Sequence, residues 1–73
     1  MTRFINPAIK DLLGFMSPET IAQILNDLSE WNNNADPDGN ARRIEQQIAN
    51  YAEDWLGPDG FEKVYPYLPK DRR

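Results

Sequence analysis

The sequence predicts an all-α protein, a small antiparallel bundle of three amphipathic helices plus a short fourth C-terminal helix. Three observations carry the prediction. Apolar residues recur at helical spacing through most of the chain, and nowhere do they alternate with period two for long enough to make a strand. A capping residue is twice followed by proline, at Asn6-Pro7 and Ser17-Pro18, where the missing N–H costs nothing. The stretches between the periodic segments are short and rich in turn formers, and short connections make neighbouring helices antiparallel. Seventy-three residues form one domain, 1–73, of modest stability, because a chain this short buries only about 60% of the surface it exposes when unfolded.

The first helix is expected over about 7–13. Ile5, Ala8, Ile9, Leu12, Leu13 and Met16 make its apolar stripe, and Gly14 is placed to end it in the left-handed conformation. The second is expected over 18–31, with Glu19 at the positive end of the helix dipole. Ile21, Ile24, Leu25, Leu28 and Trp31 form its stripe, and Gln23, Asn26, Asp27 and Glu30 lie off it. The third is expected over about 37–56, opened by Asp36-Pro37 or starting a few residues later, and closed by Gly57-Pro58. Its stripe is Ala41, Ile44, Ile48, Tyr51, Ala52 and Trp55, with Arg42, Glu45, Gln46, Asn50, Glu53 and Asp54 facing away. Trp31, Tyr51 and Trp55 are in phase with their stripes and are expected in the core.

A fourth helix is expected over 60–65, where Asp59-Gly60-Phe61-Glu62 has the spacing of a capping box and Phe61, Val64, Tyr65 and Leu68 share a face. Pro66 and Pro69 then suggest an extended strap over 66–69, followed by a frayed tail, 70–73. In an extended strap neighbours alternate, so Leu68 is expected to close the core together with Tyr65, while Tyr67 points outward.

Composition removes several kinds of chemistry. With no histidine, the usual general base and the commonest transition-metal ligand are missing; with no cysteine there is no disulfide and no thiolate site. No glycine-rich phosphate loop is present. Carboxylate pairs such as Asp27/Glu30 and Glu53/Asp54 fall on faces read as exposed, where nothing splits their pKa values. The expectation is therefore a protein that is not an enzyme and needs no cofactor. No apolar run approaches the ~18 residues of a membrane span, and the first residues lack the apolar core of a signal peptide, so a cytoplasmic location is expected.

The net charge is −4, and eleven of the twelve acidic residues lie between Asp11 and Glu62, where Arg42 and Arg43 are the only basic ones. Such a body repels nucleic acid and anionic lipid. The function expected is a small acidic, non-catalytic protein–protein interaction module, acting as an inhibitor or adaptor of a partner with a basic surface. Candidate contact residues are the aromatic and apolar Trp55, Phe61, Tyr65, Tyr67 and Leu68, with Asp27, Glu30, Glu53 and Asp54 selecting the charge of the partner. The sequence does not specify an oligomeric state.

Two alternatives rest on the corner and on the helix after it. Residues 34–45 match most of the EF-hand loop pattern, with oxygen ligands from Asn34, Asp36 and Asp38, the Asn40 carbonyl and Glu45, and Gly39 at the sharp turn. This would make the protein a calcium-binding module. Against it, Asn34 removes a charge from the first ligand position, Pro37 is unusual inside such a loop, and no second loop exists to pair with it. The second alternative is a DNA-binding helix-turn-helix-like protein whose third helix presents Arg42, Arg43, Gln46, Gln47 and Asn50, which the acidic body around it disfavours.

Overall fold

The structure is a computed structural model describing residues 5–34 and 38–73. Its elements are α1 (Pro7–Gly14), α2 (Pro18–Asn34), α3 (Asn40–Trp55) and α4 (Gly57–Val64), followed by two 3-10 turns, Tyr65–Tyr67 and Lys70–Arg72. Among the described residues there is no strand. The all-α bundle expected from periodicity is the fold observed.

Both cap-then-proline devices form. The Asn6 side chain accepts the Ala8 N–H at 2.9 Å with Pro7 at the start of α1. Ser17 Oγ accepts the Thr20 N–H at 3.3 Å, satisfying one of the donors that a helix start leaves without a partner. α1 does not end on a left-handed glycine. Gly14 stays in the helix, and the glycines with positive φ are Gly39 (71°) and Gly57 (77°). α2 runs on to Asn34, a turn past Trp31, because neither glycine nor proline interrupts residues 32–34. Asn32 Nδ2 also ties this added turn to Glu45 Oε1 on α3 at 3.1 Å.

α3 begins at Asn40, the later of the expected starts. The left-handed Gly39 cannot lie inside a right-handed helix, so it sets the start. Asp36 and Pro37, expected to open the helix, lie outside the described residues. Gly57 likewise separates α3 from α4, which begins there and not at Gly60. Asp59 consequently sits inside the first turn of α4, and the capping box read at 59–62 does not form.

Ile21, Ala22, Leu25 and Leu28 of α2, Ala41, Ile48, Ala49 and Ala52 of α3, Leu13 of α1, Val64 of α4 and Leu68 make the core. α2 lies against α3 and α4, and α1 packs across α3, where Gln47 Oε1 accepts the Asn6 N–H at 2.7 Å. The buried side of α3 differs from the expected stripe. Its alanines let the neighbouring helices approach closely, and the larger side chains of Ile44 and Trp55 are left exposed at the margins. Trp31 is also exposed and Tyr51 only half-buried, so the three aromatics expected in the core do not fill it. In exchange, Glu45 is 3% exposed and Asn50 is buried, although both were expected to face away.

The segment after α4 is neither an extended strap nor a frayed tail. Pro66 sits at the start of a 3-10 turn closed by the Leu68 N–H to Tyr65 carbonyl bond at 3.2 Å. The φ near −65° that proline imposes suits that turn as well as an extended chain. Only Leu68 (ψ 155°) and Pro69 (ψ 147°) are extended. Beyond them, Arg72 Nη1 meets Glu53 Oε1 at 3.2 Å, with both side chains about four-fifths buried, and Arg73 Nη1 donates to the Pro66 carbonyl at 3.0 Å. These bonds fold the tail back onto α3 and the 3-10 turn.

Candidate interaction surfaces

The nine candidate contact residues divide into exposed and committed ones. Asp27, Glu30, Asp54, Trp55, Tyr65 and Tyr67 are exposed. Leu68, at 2% exposed, belongs to the core, and Phe61 is half-buried with its ring centroid 5.7 Å from that of Tyr65. Glu53 is occupied by Arg72. Tyr65, expected to close the core with Leu68, is exposed instead, because the 3-10 turn replaces the alternation of an extended chain. Tyr67 and Leu68 do differ in burial as expected, Tyr67 being 42% exposed, although the 3-10 turn and not strand alternation separates them.

Of the exposed residues, Tyr67 and Trp55 each line a depression, in two separate places. Tyr67 lines a shallow depression of about 370 Å³ with Ala22, Gln23 and Asn26 of α2. The Glu19–Lys63 ion pair between α2 and α4 borders it. The Lys63 ammonium donates to the Glu19 carboxylate, which holds Glu19 below its ordinary pKa and Lys63 above its own. Along the outer row of α2, Gln23 Nε2 donates to Asp27 Oδ1 at 3.0 Å, and Glu30 follows one turn later. This side of α2 is polar and carries the acidic residues Glu19, Asp27 and Glu30.

The second place lies where α1 crosses α3. Lys10, Asp11, Gly14 and Phe15 meet Tyr51 and Trp55 around an open depression of about 520 Å³. The Lys10 ammonium stands 3.7 Å from the centroid of the Trp55 ring, a cation–π contact. Phe15 is 92% exposed and Leu12 60%. The sequence reading missed both, placing Leu12 on the buried stripe and assigning Phe15 to no element. The available signal was a second row on the first helix: Ala8, Leu12 and Phe15 are spaced i, i+4, i+7, and one short helix cannot bury both that row and Ile9, Leu13 and Met16.

The residues named for the two alternatives are scattered. Asn34, Asp38 and Asn40 are exposed near the corner, whereas the Glu45 carboxylate is buried and accepts from Asn32; Asp36 lies outside the described residues. Among the described residues no three histidine, cysteine or carboxylate side chains are grouped to hold a metal ion. Of the side chains proposed to read DNA, Arg42 and Arg43 are exposed, but Asn50 is buried and Gln47 is bonded to the start of α1. Among the described residues no helix is long and apolar enough to cross a membrane.

Comparison of the chain with protein-family models, with curated protein sequences and with solved structures finds no match.

Proposed function

We propose that this is a small acidic, non-catalytic protein–protein interaction module that works in the cytoplasm as an inhibitor or adaptor of a partner with a basic surface. The observation that supports this reading best is Tyr67, held half-exposed beside the acidic outer side of α2. Leu68 anchors the next residue in the core and a 3-10 turn fixes the backbone, so Tyr67 is presented with little conformational entropy to lose on binding. A tyrosine supplies apolar area together with a hydrogen-bonding tip, and Asp27 and Glu30 supply the charge that steers a basic surface toward it.

The test is capture with the protein as bait, comparing wild type with Tyr67→Ala and with the charge reversal Asp27→Lys/Glu30→Lys. The expected result is a basic protein retained by wild type, weakened by added salt and lost with both variants. Retention of the same partner by the charge-reversed bait would overturn the reading.

A further inference from the structure

The apolar arc of α1 is two rows wide. Ile9, Leu13 and Met16 pack against the core, while the neighbouring row, Ala8 and Leu12 with Phe15 just past the helix, is exposed. An apolar stripe is ordinarily buried across its whole width. Here one row is open, and its most exposed residue is a phenylalanine. The Lys63–Glu19 and Arg72–Glu53 pairs lie elsewhere and do nothing to cover it.

The same face offers a projection and a recess side by side. Phe15 stands at the rim of the depression whose walls include Tyr51 and Trp55. At Gly14 nothing lies within 4 Å of where a side chain would begin, so the recess has room for atoms from another molecule. Lys10 and Asp11, of opposite sign, sit next to each other on its lining. A two-fold axis requires a surface that complements itself, with residue i meeting residue j and j meeting i. Phe15 against the Trp55 recess meets that requirement, and so does Lys10 against Asp11 once its ammonium turns from the Trp55 ring of its own copy.

We propose that the outer face of α1 is a self-association surface on which a second copy of this chain docks about a two-fold axis. Phe15 of each copy enters the recess of the other, and Lys10 of each faces Asp11 of the other. The face is small. An eight-residue helix is only about 12 Å long, and an interface centred on it falls short of the roughly 800 Å² per partner of a standard complex. The dimer is therefore weak and concentration-dependent, in the micromolar range or above. Each copy carries a net charge of −4, so the approach is opposed by long-range repulsion that salt screens. Moderate salt tightens this contact, whereas it loosens the contact proposed above for a basic partner. The two readings can therefore fail separately.

Sedimentation equilibrium of the whole chain, from about 10 μM to about 1 mM, reads the association directly. A monomer–dimer equilibrium that tightens with salt is expected. Phe15→Ser should weaken it by more than about tenfold, since it removes the burial of a large apolar side chain. Gly14→Lys, which fills the recess from a position with open space around it, should do the same while leaving the helical circular dichroism signal unchanged. Asp11→Lys and Lys10→Asp should each weaken the dimer alone, and an equimolar mixture of the two should restore it. A wild-type chain that remains monomeric at 1 mM overturns the proposal and leaves the face to a different partner. So does a dimer that the folded Gly14→Lys variant keeps at wild-type strength.

Discussion

α1 and α2 begin with the same device, a capping side chain followed by proline, yet they relate to the rest of the molecule differently. α2 has one apolar side, buried against α3 and α4, and one polar side carrying Gln23, Asp27 and Glu30. Its polar residues define where the bundle ends. α1 also has a polar side, Lys10, Asp11 and Gly14, but its apolar arc is two rows wide and only one of the rows is buried. In α2 the pattern alone determines which side is buried. In α1 it does not, and the packing of α1 across α3 decides that Ile9 and Leu13 go in while Leu12 and Phe15 stay out.

The sharpest way to break this contrast is to place a charge on each kind of apolar residue. Ile48→Asp or Ile21→Asp introduces a charge where no water reaches, and is expected to abolish most of the roughly 5 kcal/mol that a domain of this size holds. Leu12→Asp or Phe15→Asp is expected to leave stability within about 0.5 kcal/mol of wild type. Thermal melts of dilute protein check both. An unfolded Phe15→Asp would show that the outer row of α1 supports the monomer.

The same contrast recurs on a smaller scale between adjacent residues after α4. Leu68→Ala removes a fully packed side chain and should cost about 2–5 kcal/mol. Tyr67→Ala should cost less than about 1 kcal/mol, since its side chain is half in water. Urea titrations of the two variants compare them. Equal midpoints would mean that Tyr67 is held by the bundle and is not presented to a partner.

The smallest effect belongs to the ion pair beside Tyr67. Because Glu19 is held below its ordinary pKa of 4.5, its contribution is complete above that value and is lost as pH falls through the lowered one. Lys63, held above its ordinary 10.5, contributes fully below that value and loses its contribution as pH rises through the raised one. Both side chains are more than half exposed, so salt and solvent screen the pair. Melting temperature followed over pH should show a slightly shallower acid limb for Lys63→Met than for wild type. An unchanged limb would mean that the pair adds nothing to stability.

Much of the bundle could be read before its structure was known, and for local reasons. A capping side chain and a proline act within one turn, so Asn6-Pro7 and Ser17-Pro18 mark two helix starts reliably. The errors came where a distant element decided the outcome. The buried side of α3 follows its alanines, because three other helices press against it, and hydrophobicity alone favoured Ile44 and Trp55. Glu45 and Asn50 look like surface residues until α2 and its Asn32 are in place. Gly39 was visible, but Asp36-Pro37 offered a competing start that local rules could not rank against it. The tail looked frayed because its partners, Glu53 and the Pro66 carbonyl, are not periodic neighbours. Of the candidate site, the contrast between Tyr67 and Leu68 was legible; the exposure of Phe15 was missed, although its row with Ala8 and Leu12 signals it.

The bonds that fold the tail back also bear on how the molecule opens. Asn32 and Glu45 are joined across a corner of a dozen residues, and such short-range closures form quickly. Leu68 is part of the core, and Arg72 reaches back nineteen positions to Glu53. We expect the residues from 65 onward to act as a clasp, first to open when the native state fluctuates. In a hydrogen-exchange experiment their amides would open below the global unfolding energy, exposing Leu68 while α2 and α3 remain together.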